Sequence, residues 1–268
     1  MPTLFQLKDV GFEYEGIPAL DGLSLDMAEG ESIAVLGANG SGKSTLLRIL
    51  DALCFSSRGS VFFRGQSLTQ ELFRQDGYAI SFRRQVALVF QNPDAQLFNP
   101  TVFDEVAFGP LQLRRPREQV LAKVAATLEL LKIAHLRDRP PYRLSGGEKK
   151  RVALASVIVL EPEVLLLDEP TAALDPRSQS QIIDLIQEWK GAAKTVITAT
   201  NQLEIVEDIA SRVVVLEEGR VAASGGPAEI LSNQELLLRA NLVHAHRHSH
   251  GTYVHSHPHM HSHSKHKH

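Results

Sequence analysis

The sequence predicts an α/β fold: a mainly parallel sheet covered on both faces, an antiparallel β subdomain at the N-terminus and an inserted helical subdomain. Three observations carry that prediction. The runs IAVL (33 to 36), VLLL (164 to 167), TVITAT (195 to 200) and VVVL (213 to 216) are mostly apolar without alternation, as strands buried on both faces are. Directly after the first run, Leu46, Leu47, Ile49, Leu50 and Leu53 recur at helical spacing, so that strand, glycine loop and helix follow one another. Residues 117 to 135 and 146 to 160 carry helical periodicity with no strand between them, which places the helical insertion at about residues 92 to 155.

The elements follow in order. FQLKDVGFEYEGIPALDGLSLDMAEGESIAVLG alternates apolar and polar residues between glycine turns, the pattern of several short strands. The domain so outlined runs over residues 1 to 242. Beyond it, residues 243 to 268 are low in complexity and rich in His and Ser, a composition that gives no reason for fixed structure until something is bound.

Composition narrows the functions. The chain has 268 residues, 43% of them hydrophobic, enough for a sizeable core. A formal charge of -3 gives no overall basic surface for gripping nucleic acid. Cys54 is the only cysteine, so no internal disulfide or paired-cysteine zinc site forms, and a reducing cytoplasmic compartment fits. MPTLFQLKDV does not read as a signal peptide, and no apolar run reaches the roughly 20 residues of a membrane helix. A membrane role is therefore expected through partners.

The segment GANGSGKS, Gly37 to Ser44, fits the pattern G-x-x-x-x-G-K-[ST] between a buried strand and a helix start. Gly37, Ala38, Asn39, Gly40, Ser41 and Gly42 curl the backbone so that successive N–H groups face phosphate oxygens. Lys43 reaches the β- and γ-phosphates, Ser44 ligates Mg²⁺, and Thr45, next at the helix start, completes the nucleotide-binding set. The bland alternative is a glycine turn between strand and helix. At the end of VLLL, Asp168 is placed to hold Mg²⁺ and Glu169 to polarise an attacking water; an acidic pair in that position is otherwise a solvated turn.

LSGGEKKR, Leu144 to Arg151, resembles the signature sequence of ATP-binding cassette (ABC) ATPases. The resemblance covers residues 3 to about 235. It implies that Tyr14 stacks on adenine, that Gln91, in the loop joining the subdomains, is a catalytic position and a Mg²⁺ ligand, and that Asp175 closes an AALD segment near the nucleotide. It also implies a head-to-tail dimer in which each ATP lies between one subunit's glycine loop and Ser145, Gly146 and Gly147 of the other. Serine and glycines at a helix start suit a phosphate. They equally suit a helix cap completed by Glu148.

Residues 89 to 113, VFQNPDAQLFNPTVFDEVAFGPLQL, are similar to the ATPase subunits of energy-coupling factor transporters, the cobalt and nickel branch above all. That resemblance implies a second ATPase subunit, a transmembrane coupling protein and a separate membrane subunit that captures the substrate, with this chain peripheral on the cytoplasmic face of the membrane. Phe98, Phe103 and Phe108 would line a docking groove or pack the subdomain core.

The family's pattern places a histidine after the strand TVITAT. Here Asn201 and Gln202 stand in that region. Asn201 donates hydrogen bonds but is shorter than histidine and cannot become cationic, so hydrolysis is expected to be slowed.

Eleven of the twelve histidines lie in the tail. His244, His246, His248, His250, His255, His257, His259, His261 and His263 occur mostly as His-x-His, a spacing that sets both rings on one side of an extended chain and suits Ni²⁺ or Co²⁺ among other transition ions. A purification tag and an inert soluble tail are the alternatives. The reading is an ABC ATPase subunit that uses ATP and Mg²⁺ to energise cobalt or nickel import through membrane partners; an ATP-closing module with weak hydrolysis, or the ATPase of a vitamin importer, are its rivals.

Overall fold

The computed structural model describes residues 2–191, 194–250 and 253–259. The N-terminal stretch forms two long strands rather than several short ones, β1 (Thr3–Tyr14) and β2 (Ile17–Ala28). Register shifts at several points along their pairing let one ribbon bend where short strands were expected. Then come β3 (Ser32–Leu36), α1 (Lys43–Leu50), β4 (Arg58–Phe63), β5 (Gln66–Ser67), α2 (Gln70–Phe73), α3 (Asp76–Gln85) and β6 (Val86–Val89). The helical insertion follows as α4 (Val102–Gln112), α5 (Arg117–Leu130) and α6 (Gly146–Ile158). The chain returns through β7 (Val164–Asp168), α7 (Pro176–Gly191), β8 (Thr195–Thr200), α8 (Val206–Ile209), β9 (Arg212–Glu217), β10 (Arg220–Gly225), α9 (Pro227–Ser232) and α10 (Gln234–Arg239).

Six strands form the central sheet in the order β10-β9-β3-β8-β7-β6. All pairs are parallel except β10 with β9. A second, antiparallel sheet has the order β2-β1-β4-β5. The apolar strand runs have a direct cause in this layering. Ile33 and Val35 of β3 join the core under α1 and the antiparallel sheet, while Ala34 and Leu36 join the core shared with the helical insertion. Val164 and Leu166 of β7 divide from Leu165 and Leu167 in the same way. With apolar neighbours on both faces, neither residue parity can be polar, and each buried Val, Leu or Ile side chain contributes about 1.5–3 kcal/mol.

The helix expected over 117 to 135 stops at Leu130, and Lys132 then takes a left-handed conformation, φ 56°. In the tail, β11 (His244–His250) pairs antiparallel with β12 (Tyr253–His259), His246 opposite His257 and His248 opposite His255. The two-residue alternation of His-x-His has the period of a strand, which is how a segment whose composition gave no reason for fixed structure forms a ladder. No described helix is long and apolar enough to cross a membrane.

Candidate functional site

The glycine loop lies where β3 hands over to α1. Gly42 adopts φ 103° as the N-cap of α1, and a Cβ there would sit 2.6 Å from the Ala19 carbonyl oxygen, so only glycine fits. A Cβ on Gly37 would collide with Ser41 Oγ and with the Leu216 carbonyl. The loop closes on itself through Ser41 N–H, which donates to the Ala38 carbonyl at 3.1 Å. Asn39 and Gly40 form its exposed rim. Lys43 is buried, with Nζ donating to the carbonyls of Gly37 (2.8 Å) and Ala38 (3.1 Å) and lying 3.8 Å from Glu169 Oε1. Desolvation pulls its pKa down, opposed by Glu169 and Asp168. Thr45 is buried one residue past Ser44.

The strand β7 delivers Asp168 and Glu169 to the same place. Both carboxylates are buried and both have pKa values raised by desolvation, opposed in Asp168 first by a hydrogen bond from Ser44 and in Glu169 first by Lys43. Asp168 Oδ1 is buried with no partner. A carboxylate oxygen left unpaired beside a serine hydroxyl offers the hard oxygen donors that Mg²⁺ prefers, so the residues present fit that ion. Glu169 is fixed more tightly: Oε2 accepts from Thr200 Oγ1 (3.1 Å) and from the Asn201 backbone N–H (3.4 Å). Its own backbone sits in the left-handed region at φ 46°.

The other expected residues fall into four groups. Tyr14 ends β1 half-exposed; its hydroxyl accepts from Arg48 Nη1 of α1 at 3.1 Å and the edge of Phe12 steadies its ring, centroids 4.8 Å apart. Gln91 and the Asn201 side chain are exposed, and among the described residues no side-chain hydrogen bond joins either to the rest of the site. Ser145, Gly146 and Gly147 open α6 in the helical insertion. Ser145 Oγ accepts from the Glu148 N–H, and the Glu148 carboxylate accepts in turn from Ser145 N and Oγ at 2.8 Å, a complete capping box. Ser145 and Gly146 remain exposed to solvent. Asp175 caps α7, accepting from Ser178 N–H (3.1 Å) and Ser178 Oγ (2.6 Å), and these bonds lower its pKa.

The three phenylalanines divide. Phe98 and Phe108 form an exposed edge-to-face pair, centroids 5.0 Å apart, while Phe103 packs on the core beneath Arg137. The loop carrying Phe98 is held by buried Glu105, whose Oε2 accepts from the N–H groups of Phe98 and Asn99. Of the tail histidines only the backbone of His244, His246, His248, His250, His255, His257 and His259 is described; His261 and His263 lie outside the described residues. Elsewhere among the described residues no group of three or more His, Cys, Asp or Glu forms a metal cluster.

Sequence reasoning missed three residues here: Thr200, which holds Glu169; Thr171, whose Oγ1 donates to Gln202 Oε1; and Lys150, which donates to the Glu169 carbonyl. For Thr200 the position at the end of a wholly buried strand was a usable signal. For Lys150 it was helical period, since Lys150 falls on one side of α6 with Ala153, Leu154 and Val157.

A phosphate loop facing an acid-tipped strand, with a capped glycine helix presented outward from an inserted helical subdomain, is the layout of an ABC cassette. Residues 20–172 match the family described as ABC transporter, and the chain belongs to that family. Within it the likeness is to the energy-coupling factor type and its cobalt and nickel branch. The nickel import ATP-binding protein NikO of Rhodobacter capsulatus is 53% identical over 246 residues, which cover 91% of this chain and 97% of that protein. The energy-coupling factor transporter ATP-binding protein EcfA2 of Methanospirillum hungatei is 41% identical, over 90% of this chain and 60% of the relative. Among solved structures, CbiO1 from Clostridium perfringens, part of the ABC transporter complex CbiONQ, superposes with a TM-score of 0.75 at 36% identity, covering 90% of this chain and 96% of that one. The chain is thus an ATP-binding subunit of the ABC ATPase class, whose relatives work within multi-subunit membrane transporters.

Proposed function

We propose that this chain, a cassette of residues 1 to 242 with a histidine-rich tail over 243 to 268, hydrolyses ATP to energise import of cobalt or nickel ions through membrane partners. The observation that carries the hydrolytic half is the meeting of Lys43, Asp168 and Glu169 in one buried cluster. The cargo rests on likeness to the nickel import protein and to CbiO1.

In this reading the adenine stacks on Tyr14, and the N–H groups of Gly37 to Thr45 cradle the phosphates with Lys43. Ser44, Asp168 and Gln91 would hold Mg²⁺, which when bound neutralises charge on the phosphate oxygens. Glu169, oriented by Thr200 and the Asn201 amide, takes the proton of the attacking water. Its raised pKa, caused by desolvation, makes it a better base than an exposed carboxylate. A second ATPase subunit supplies Ser145, Gly146 and Gly147 to each nucleotide, and Asp175, one residue before α7, keeps its carboxyl near that boundary. The exposed pair Phe98 and Phe108 receives the transmembrane coupling protein, while a further membrane subunit captures the substrate; the chain sits peripherally on the cytoplasmic face.

Asn201 offers its backbone to Glu169 but leaves its side chain in solvent, which supports slower hydrolysis than a histidine would give. The tail, with His246 and His248 opposite His257 and His255 in register, is suited to binding Ni²⁺ or Co²⁺ near the transporter. Steady-state ATPase assays on the chain with its native partners test the hydrolytic role. Turnover that disappears in Glu169→Gln supports it, and turnover that survives removes Glu169 from the chemistry.

A further inference from the structure

The signature segment ends in two adjacent lysines with opposite surroundings. Lys149 turns outward to an ion pair with Asp94 at 2.6 Å. Lys150 is 7% exposed, on the side of α6 that packs against the central sheet. A buried ammonium needs acceptors for its N–H groups. Lys150 finds them in the loop that follows β7: Nζ donates to the Glu169 carbonyl and to the Ala172 carbonyl at 3.2 Å. Desolvation lowers its pKa to about 8, while Glu169 and Asp168 pull the other way.

The carbonyl so held belongs to a residue in an uncommon conformation. Glu169 sits at φ 46°, and Ala173, four residues on, at φ 59°. Side-chain-bearing residues stay in that region only where the surroundings hold them. Lys150 and the Ala172 N–H, the latter at 3.3 Å, both donate to the Glu169 carbonyl. Thr200 and Asn201 hold its carboxylate. The orientation of the carboxylate therefore depends on a bond from α6. The same helix begins with Ser145, Gly146 and Gly147, less than two turns from Lys150.

We infer that Lys150 is a positioning residue: it fixes the backbone of Glu169 from the signature helix, so that engagement of Ser145–Gly147 with the opposite subunit's nucleotide is transmitted to the hydrolytic carboxylate of its own subunit. This rests on the reading of Glu169 as base and of the signature as serving the second site. The path is one helical segment and one hydrogen bond, without any intervening loop.

The test uses the full chain assembled with its ATPase and membrane partners, and compares Lys150→Met, Lys150→Gln and Glu169→Gln with the parent. Fluorescent-nucleotide titration gives ATP affinity, and steady-state hydrolysis gives kcat and the Hill coefficient. For Lys150→Met, ATP affinity stays within about twofold while kcat falls by about tenfold or more, as misplacing a catalytic group does. Its Hill coefficient drops from about two toward about one, as the coupling between the two sites is lost. Lys150→Gln, which keeps a donor without the charge, recovers part of both. An unchanged kcat and Hill coefficient in Lys150→Met overturns the inference, as does an equal loss in Met and Gln that tracks lost nucleotide affinity. If Lys150→Met does not fold by thermal melting, Lys150→Gln decides: a lowered Hill coefficient at unchanged affinity supports the inference, an unchanged one overturns it. A Glu169→Gln complex that still turns over defeats the reading of Glu169 and this inference with it, whereas an inactive Glu169→Gln beside a silent Lys150→Met defeats this inference alone.

Discussion

Lys43 Nζ lies 3.8 Å from Glu169 Oε1, with both side chains buried, so the phosphate-binding ammonium and the hydrolytic carboxylate share one electrostatic environment. Changing Glu169 to Gln removes the base while keeping its shape, and it frees Lys43 from a competing charge. ATP affinity is expected to hold or improve while kcat falls by roughly 10²–10⁴. Nucleotide titration beside single-turnover hydrolysis checks both halves, and a parallel loss of affinity would contradict the assigned roles.

Asn201 contributes its backbone N–H to Glu169 and leaves its side chain exposed. Asn201→His places an imidazole where it can reach the developing charge and is expected to raise kcat by about 10²-fold, the usual worth of one well-placed donor. The comparison is made at saturating ATP. Turnover no higher than the parent's would show that the site does without that donor.

Gly42 has no conservative replacement. At φ 103°, with Ala19 oxygen 2.6 Å from any Cβ, Gly42→Ala is expected to cost about 1–3 kcal/mol in backbone strain, with further displacement of the loop that holds the phosphates. Thermal melting and ATP titration should both respond. A variant that melts normally and binds ATP normally would show that the loop relaxes around the new methyl.

Asp51, the C-cap of α1, is buried against Arg83, and its Oδ1 has no partner. Desolvation raises its pKa to about 7 against the opposing pull of Arg83. An unfolded aspartate titrates near pH 4, so between about pH 4 and 7 the folded chain holds the proton that the unfolded chain has released. The contribution of Asp51 to stability is therefore largest at low pH and falls away as pH rises to about 7. Asp51→Asn removes this dependence: relative to the parent, its melting temperature should rise between pH 4.5 and 7.5. A difference that does not vary with pH would refute the shift.

The glycine loop, the acidic pair and the signature were legible because each is a contiguous string whose chemistry follows from residue order. The sheet was legible because burial on both faces leaves no polar parity, as the division of β3 and β7 between two cores shows. The contacts that aim those groups were not legible. Thr200 lies 31 residues from Glu169, and Lys150 reaches its carbonyl across 19. Such pairings depend on which strand neighbours which, and the placement of β8 beside β7 is set by crossover topology rather than by either local sequence. The split among Phe98, Phe103 and Phe108 was hidden for a similar reason, since it depends on tertiary packing that seats Phe103 on the core and leaves Phe98 and Phe108 paired outside it.

The most direct test of the account is ATP-dependent uptake of ⁶³Ni²⁺ and ⁵⁷Co²⁺ into vesicles holding the chain with its native membrane partners, alongside a Glu169→Gln control and a chain ending at Leu242. Uptake of at least one metal is expected to require ATP and to be abolished by Glu169→Gln, with the shortened chain still transporting but less responsive to metal concentration. ATP hydrolysis without uptake of either ion, or uptake of a vitamin in its place, would contradict it.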